Sequence, residues 1–220
     1  MRFHVFDRSD WEREEYFEHY FNDVTCTFSL TVNLDVSNLN GQKIYPAMLW
    51  LLTSTVNEMA EFRTTMGPEG LGYYDEMHPS YTIFNRSNKN FSDIWTEFVA
   101  DYELFLQHYQ EDVAKYASSK IFQPKPARPA NTFDVSMLPW LTFSSFNLNI
   151  YGDGKHLLPI FTMGKTFALD SLIMMPLAIQ VHHAVCDGYH VGMFVESLQK
   201  KIDAFTGGKD PREDHPLESF

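Results

Sequence analysis

The sequence predicts an α+β fold in which helices cover a large sheet of mostly antiparallel or mixed strands. Stretches of alternating apolar and polar residues, typical of strands, occur among separated stretches with helical periodicity. Hydrophobic residues make up 44% of the 220 residues, with 19 phenylalanines and 11 tyrosines, so one sizeable and aromatic core can form. We expect a single domain over residues 1–208 and a disordered, charged tail at 209–220.

The N-terminal half is predicted to alternate between helices and strands. A capping box at 9–12 and the apolar residues after it indicate a first helix, and alternation over 24–36 indicates a strand. A tyrosine followed by a proline opens a second helix at 45–61, since proline is favoured in a first turn. Glycines and a proline at 67–70 mark a turn, and 80–85 is a short strand.

The C-terminal half is predicted to carry one long helix, three strands and a closing helix. The long helix is amphipathic, and a proline-rich connector follows it. In chain order the elements are the helix at 92–116, the connector at 124–129, strands at about 140–149, 157–167 and 171–182, and the helix at 188–205, with turns at 152–154 and 168–170.

Charge and cysteine content exclude several classes of partner. Lysine and arginine number 17 against 29 aspartates and glutamates, and the net charge of −12 disfavours nucleic acid or an anionic membrane. Cys26 and Cys186 form no disulfide framework, which indicates a reducing compartment. The longest apolar stretch, 172–181, is too short to span a bilayer. The first residues of the sequence lack the apolar region of a signal peptide. We expect a cytoplasmic protein in which a polyphosphate cofactor would need a local basic patch.

The pair His182 and His183 lies where this apolar stretch leaves the predicted sheet. A histidine held at a strand end, partly shielded and near Asp187, suits a general base, although many such histidines are only structural. The two histidines with Cys186 and Asp187 could also suggest zinc. Adjacent strand residues point to opposite faces, however, so we expect the two rings not to share an ion and predict no metal.

A set of motifs in this chain resembles the chloramphenicol acetyltransferase family. The HAVCDGYH sequence at 183–190 is similar to the active-site signature of that family, and the other motifs follow the family order from about residue 5 to about residue 206. They are WER at 11–13, YP at 45–46, PW at 139–140, FSSFNLN at 143–149, PIFTMGK at 159–165 and MPLAIQVHH at 175–183.

The resemblance implies both an architecture and a reaction. The family has the CoA-dependent acyltransferase fold and assembles as a homotrimer, with active sites at subunit interfaces. Its members transfer the acetyl group of acetyl-CoA directly to the 3-hydroxyl of chloramphenicol within a ternary complex, which confers antibiotic resistance. The expected partners are therefore chloramphenicol, acetyl-CoA and two further copies of the chain, with no metal.

The resemblance also assigns catalytic roles to individual residues. His183 is implied to be the general base, with its second ring nitrogen held by its own backbone carbonyl. Ser145 is implied to donate its hydroxyl to the oxyanion of the intermediate. Asp187 is implied to pair with Arg13 and support the site rather than act in a triad; an ordinary surface ion pair is the alternative. Read without the family, Ser145 is simply a polar residue on a strand.

Substrate-binding roles follow from the same resemblance. Tyr20, Cys26 and Phe91 are implied to line the acceptor pocket, where aromatic rings suit a flat ligand, and Thr162 to hold a water. Tyr20, Cys26 and Phe91 could equally be core residues. Lys43 and Lys165 are implied to lie near the coenzyme, or else are two solvated surface lysines. Thr166 follows Lys165 in place of the aromatic residue frequent in the family.

Two other functions and one other mechanism compete with this interpretation. A related acyltransferase could act on another alcohol or on the thiol acceptor dihydrolipoamide. Dihydrolipoamide acyltransferases normally carry further domains ahead of the catalytic core, so a resemblance that begins within the first ten residues disfavours this function. A catalytically silent trimeric binding protein is a third possibility, and retention of His183, Ser145, Asp187 and Arg13 speaks against it. Cys186 or Cys26 as a covalent nucleophile is an alternative mechanism, for which a depressed thiol pKa would be needed.

Overall fold

A computed structural model describes residues 2–150 and 154–207 of the chain. The strands are β1 (Phe3–Val5), β2 (Thr27–Asp35), β3 (Thr64–Gly67), β4 (Gly70–Tyr74), β5 (His78–Asn85), β6 (Asn90–Trp95), β7 (Thr132–Leu138), β8 (Ile160–Gly164), β9 (Phe167–Leu169) and β10 (Leu172–His182). The α-helices are α1 (Glu14–Glu18), α2 (Ile44–Val56), α3 (Tyr102–Tyr116) and α4 (Gly188–Ala204).

The large sheet is mixed, as the sequence predicts. Its strand order is β2-β10-β8-β7-β5-β6, with β9 paired to the beginning of β10. The pairs β5–β7 and β7–β8 are parallel and the remaining pairs are antiparallel. A separate small sheet has the order β1-β4-β3. The α+β class is therefore confirmed.

Strand β10 separates the core from an outer, more polar face of the sheet. Its residues Leu177, Ile179 and Val181 are at most 3% exposed and pack with α2 and α4 in the main core. Alternate residues, among them Gln180 and His182, point to the other face because successive strand residues alternate sides. Burial of the inner row is the reason that the apolar run at 172–181 forms a strand. None of the described helices combines the length and apolar character needed to cross a membrane.

Several predicted elements are confirmed with small changes in their ends. The strand predicted at 24–36 is β2, the helix at 45–61 is α2, and the closing helix at 188–205 is α4. The turn at 67–70 joins β3 to β4, and Gly70 has a φ of 122°, which glycine adopts without strain. The sequence did not predict β1, β3, β4 or β7, and the turn predicted at 168–170 is wrong in part because residues 168 and 169 belong to β9.

The long helix predicted at 92–116 is wrong in its first part. Ser92 and Ile94 are buried in β6, which pairs with β5, and the helix begins only at Tyr102. The Asp101 side chain accepts a hydrogen bond from the backbone N–H of Leu104 at 2.9 Å and caps this helix. The error arose because the apolar residues of the strand and of the following loop happen to fit a helical spacing.

The strand predicted at 140–149 is also wrong. Residues 141–150 run without strand pairing in the described chain, and most of them are exposed. Two hydrogen bonds attach this segment to the outer face of the sheet: the N–H of Phe146 to Thr31 Oγ1 at 3.3 Å, and the N–H of Leu148 to Gln180 Oε1 at 3.0 Å. The strand predicted at 157–167 is shorter, covering only β8. Most of the predicted turn at 152–154, and the tail predicted at 209–220, lie outside the described residues.

Candidate active site

His183 begins the turn that joins β10 to α4, here called the histidine turn (residues 183–187). Its backbone N–H donates to the carbonyl of Cys26 at 2.9 Å, which fixes the turn to the residue before β2. The backbone N–H groups of Val185 and Cys186 donate to the carbonyl of His182, at 3.1 and 3.0 Å. Backbone hydrogen bonds therefore hold the turn at its first residue and again at Val185 and Cys186.

The imidazole of His183 is half-buried between two aromatic side chains. The ring of Tyr20 stacks on it with a centroid distance of 4.1 Å and an interplanar angle of 6°. The edge contact with Phe28 has a centroid distance of 5.2 Å. Aromatic pairs of this kind contribute about 0.5–1.5 kcal/mol each beyond the area they bury. The ring is therefore restrained in the way that a general base requires.

The two ring nitrogens of His183 differ in their surroundings. Nδ1 is buried and has no hydrogen-bond partner among the described residues, so the expected bond to its own carbonyl is not observed. That carbonyl instead accepts a hydrogen bond from Arg13 Nη2 at 3.4 Å. Nε2 is consequently the nitrogen left to exchange a proton with a ligand.

His182 makes a separate set of contacts and is a structural residue. It is 1% exposed, its Nδ1 accepts the backbone N–H of Ala184 at 3.2 Å, and its Nε2 is 3.0 Å from the carbonyl of Gly154. Because Nδ1 accepts, the ring carries its proton on Nε2 and donates it to Gly154. Burial lowers the pKa of His182, which favours this neutral form. The two adjacent rings therefore serve different purposes.

Arg13 and Asp187 form the predicted ion pair behind the histidine turn. Arg13 Nη1 donates to Asp187 Oδ2 at 2.9 Å, and the two side chains are 17% and 33% exposed. Burial by itself raises the pKa of Asp187, but the Arg13 hydrogen bond and the charge of His190 lower that pKa by more. Since Arg13 also contacts the His183 carbonyl, the pair links the two ends of the turn. This geometry supports a positioning role rather than an ordinary surface pair.

The cysteines do not have the environment of a nucleophile. Cys186 is 1% exposed, and burial raises the pKa of its thiol well above the ordinary value, so the thiol stays protonated. Cys26 is half-buried, and its backbone carbonyl, rather than its sulfur, contacts the histidine turn. A covalent mechanism through Cys186 is disfavoured by these observations.

Ser145 and Thr162 lie far from His183 of the same chain. Thr162 of β8 and Thr31 of β2 both lie opposite Ala178 of β10. Ser145 lies at the same level of the sheet, because the N–H of the next residue, Phe146, donates to Thr31. Ala178 precedes His183 by five residues, so the separation along the strand is about 16 Å. A single chain therefore does not bring these residues against the proposed base.

Among the described residues of one chain, the space beside Thr162 is small. The side chain of Thr162 is 2% exposed, and its Oγ1 lies 3.0 Å from Ser136 Oγ. A cavity of only about 10 Å³ remains between β8, β10 and residues 146–148. A cavity of about 180 Å³ occurs elsewhere, beside Trp95 and Arg128. The smaller space is far below the several hundred Å³ that drug-sized ligands occupy.

The remaining predicted binding residues lie apart from the histidine turn. Phe91 is 54% exposed on β6 and makes an edge contact with Phe122. Lys43 and Lys165 are exposed, at the start of α2 and just after β8 respectively. By the register of β8 and β10, Lys165 is about eight residues, or roughly 26 Å, from His183 along the strand.

Three residues of this region were not assigned a role from the sequence. Phe28 contacts the His183 ring, Gln180 anchors residues 146–148, and His190 contacts Asp187. Phe28 is one of the alternating apolar residues that predict the strand at 24–36, so that pattern placed it in the right element. For Gln180 the signal is a single polar residue within an apolar run.

Comparison with known proteins gives a consistent result. The profile of a family described as chloramphenicol acetyltransferase matches residues 1–199. A chloramphenicol acetyltransferase of Clostridium perfringens is 46% identical over 207 residues, which are 91% of this chain and 94% of that protein. One of Clostridioides difficile is 49% identical over 205 residues, covering 92% of this chain and 97% of that protein.

Solved structures agree with the fold. A chloramphenicol acetyltransferase structure superposes with a TM-score of 0.82 at 21% identity, covering 91% of this chain and 100% of that chain. The cubic core of the pyruvate dehydrogenase multienzyme complex superposes with a TM-score of 0.64 at 16% identity, covering 80% of this chain and 81% of that chain. At these identities the structures support the fold alone.

Proposed function

The chain belongs to the chloramphenicol acetyltransferase family, and we propose that it transfers the acetyl group of acetyl-CoA to the 3-hydroxyl of chloramphenicol in the cytoplasm, as an antibiotic-resistance enzyme. The observation that carries the mechanism is the His183 ring, restrained by Tyr20 and Phe28 on a turn fixed by backbone hydrogen bonds and by Arg13. This ring meets the requirement for a positioned base with one nitrogen available.

In the proposed reaction, Nε2 of His183 removes the proton of the 3-hydroxyl as its oxygen attacks the thioester carbonyl. The tetrahedral intermediate then collapses, the carbon–sulfur bond breaks, and the imidazolium returns its proton to the departing thiolate. The products are the acetate ester and free CoA, so the ring ends neutral. A base positioned in this way contributes about 10²–10⁴ in rate. The Asp187 carboxylate pairs with Arg13 and not with the His183 ring, so the proposed mechanism does not use a catalytic triad.

The oxyanion of the intermediate is proposed to be stabilised by the hydroxyl of Ser145, with Thr162 holding a water near it. One such preorganised donor contributes roughly 2.7–4 kcal/mol to the transition state. Because Ser145 and Thr162 lie about 16 Å along the sheet from His183 of the same chain, the donor that serves one histidine must come from another copy.

We therefore propose that the enzyme is a homotrimer whose active sites lie between neighbouring subunits. Large apolar side chains on and beside the unpaired segment 141–150 support this, since Trp140, Leu141 and Ile150 are 59%, 60% and 46% exposed. The segment also presents unpaired backbone that a second copy can cover. Closure of a three-fold ring would repeat the same heterologous contact three times.

Binding roles complete the proposal. Tyr20, Cys26 and Phe91 would line the chloramphenicol pocket once two copies meet, and Tyr20 would also keep the base in place through its stacked ring. Lys43 and Lys165 would neutralise phosphates of CoA as point charges. Both lysines are exposed, and Lys43 directly precedes the first residue of α2, where backbone N–H groups favour anions.

The activity is tested by following the products of the purified protein. With acetyl-CoA and chloramphenicol we expect release of CoA thiol, detected with a thiol-reactive dye, and appearance of the 3-acetyl ester by mass spectrometry. Omission of chloramphenicol should stop the release. Dihydrolipoamide is tested separately through loss of thioester absorbance. Transfer to dihydrolipoamide without transfer to chloramphenicol would contradict the proposed substrate.

The shared site is tested by mixing two inactive variants. Chains carrying His183→Ala and chains carrying Ser145→Ala, unfolded together and refolded, should recover activity because some sites combine an intact histidine with an intact serine from the neighbour. Random assembly at equal amounts predicts about a quarter of the wild-type activity. The same two proteins refolded separately and then combined are the control. Absence of recovery in the mixed sample would place both residues in one chain.

A further inference from the structure

Helix α4 begins directly behind the histidine turn, and a side chain on its first turn contacts that turn. Asp187 caps the helix, since its Oδ1 accepts the N–H of Tyr189 at 3.0 Å. His190 closes the capping box, with its Nδ1 3.2 Å from the backbone nitrogen of Asp187. The side chain of His190 is only 16% exposed. In this capping box the Asp187 side chain also accepts from the backbone of His190, so two reciprocal contacts join the two residues.

The Nδ1 atom of His190 lies close to two different groups of Asp187, the backbone N–H and the carboxylate. Its Nδ1 is also 3.0 Å from Asp187 Oδ1. Without a proton, Nδ1 accepts the N–H of Asp187; with a proton, Nδ1 donates to the carboxylate instead. Nδ1 of His190 therefore lies within hydrogen-bond distance of both the backbone and the side chain of Asp187.

The other side of the His190 ring faces a fixed carboxylate. Its Nε2 is 3.8 Å from Glu61 Oε1. Glu61 lies in the short 3₁₀ helix Ala60–Phe62, whose Phe62 is fully buried and stacks on Phe194 of α4 with a centroid distance of 4.4 Å. Phe194 follows His190 by one helical turn and so lies on the same face. Core packing thus holds Glu61 against this part of α4.

We propose that His190, held by Glu61, is a positioning residue for the reaction, acting through Asp187 and Arg13 on the backbone of His183. The proposal rests on the proposed role of His183 as the base. A catalytic group must be held within about 0.5 Å of its productive position, and a misplacement of about 1 Å can cost about 10²-fold in rate. Removing the His190 contact frees one end of the turn that carries this group.

The test begins with His190→Ala. We expect kcat, expressed per folded enzyme, to fall about tenfold to a hundredfold, while KM for chloramphenicol and for acetyl-CoA stays within about twofold of the wild type. His190→Asn should recover much of the loss, because its side-chain oxygen can accept the N–H of Asp187. Glu61→Gln, which keeps the shape and removes the charge, should have a smaller effect than His190→Ala.

A matched control separates positioning from stability. Asp101→Ala removes the cap of α3, a contact of the same kind in a helix that does not adjoin the histidine turn. Both alanine variants should unfold at a lower temperature than the wild type because each removes a helix-cap contact, but Asp101→Ala should keep the wild-type kcat. An equal fall in kcat for both variants, or a normal kcat for His190→Ala, would overturn the proposal.

A second readout does not need the proposed activity. The rate at which diethyl pyrocarbonate modifies His183, followed by peptide mass spectrometry, should change several-fold in His190→Ala and stay unchanged in Asp101→Ala. If the wild type does not acetylate chloramphenicol, the proposed function fails while this rate still reports on the turn. An unchanged rate in His190→Ala would contradict the positioning role whatever the activity of the wild type.

Discussion

Replacement of His183 by alanine is expected to lower kcat by about 10⁴-fold, the upper end of what a positioned base contributes. The variant retains the N–H of residue 183 that bonds to Cys26, and it loses one stacked and one edge-on aromatic contact. Each contact is worth about 0.5–1.5 kcal/mol, so a modest loss of stability should accompany a near-complete loss of turnover. Stopped assays of kcat with thermal unfolding of the same samples measure both.

Cys186→Ala is the matched control for this experiment. It lies in the same turn, three residues further on, and its protonated thiol is fully buried. The substitution removes one small group from the core and leaves the proposed reaction path intact, so most of the activity should remain. A folded Cys186→Ala enzyme without activity would favour covalent catalysis, and a His183→Ala enzyme with near-normal kcat would remove the base from the mechanism.

The sequence allowed prediction of the half of the site that local patterns determine. The buried run before His182 has a length that favours a strand over a helix, and the structure packs the inner row of this strand under α2 and α4. The position of His183 at the exit from the sheet follows from it. The ion pair of Arg13 and Asp187, which spans most of the chain, was available only through the resemblance, because no local pattern couples residues so far apart.

The other half was misassigned for a physical reason. The segment 141–150 alternates as a strand does, but in the described chain it pairs with no strand. Its hydrogen bonds to the rest of the sheet include those with Thr31, Gln180 and the backbone N–H of Lys165. Alternation in a sequence indicates which side chains share a face of an extended segment, but it does not indicate whether another strand lies beside that segment. For the same reason the pattern could not show that Ser145 and His183 of one chain are far apart.

Ser145→Ala is expected to lower kcat by about 10²–10³-fold, corresponding to the loss of one oxyanion donor worth roughly 2.7–4 kcal/mol. KM for both substrates should change little, since the oxyanion exists only in the transition state. Folding should be unaffected because the serine is exposed in the single chain. Ser144→Ala is the control. Ser144 is also exposed, and the activity of this variant should match that of the wild type. Equal losses in the two variants would instead indicate a general disturbance of the segment.

The size of the Ser145 effect also tests where the serine acts. A hydrogen bond made in contact with water contributes only about 0.5–1.5 kcal/mol, because water competes for both partners. On the isolated chain Ser145 is exposed, and a loss of only about tenfold would fit a donor that stays there. A loss of kcat near a thousandfold requires a site from which water is excluded. The cavity beside residues 146–148 of the single chain has a volume of only about 10 Å³, which is too small to enclose a substrate. The larger value would therefore mean that a second subunit encloses the reacting groups.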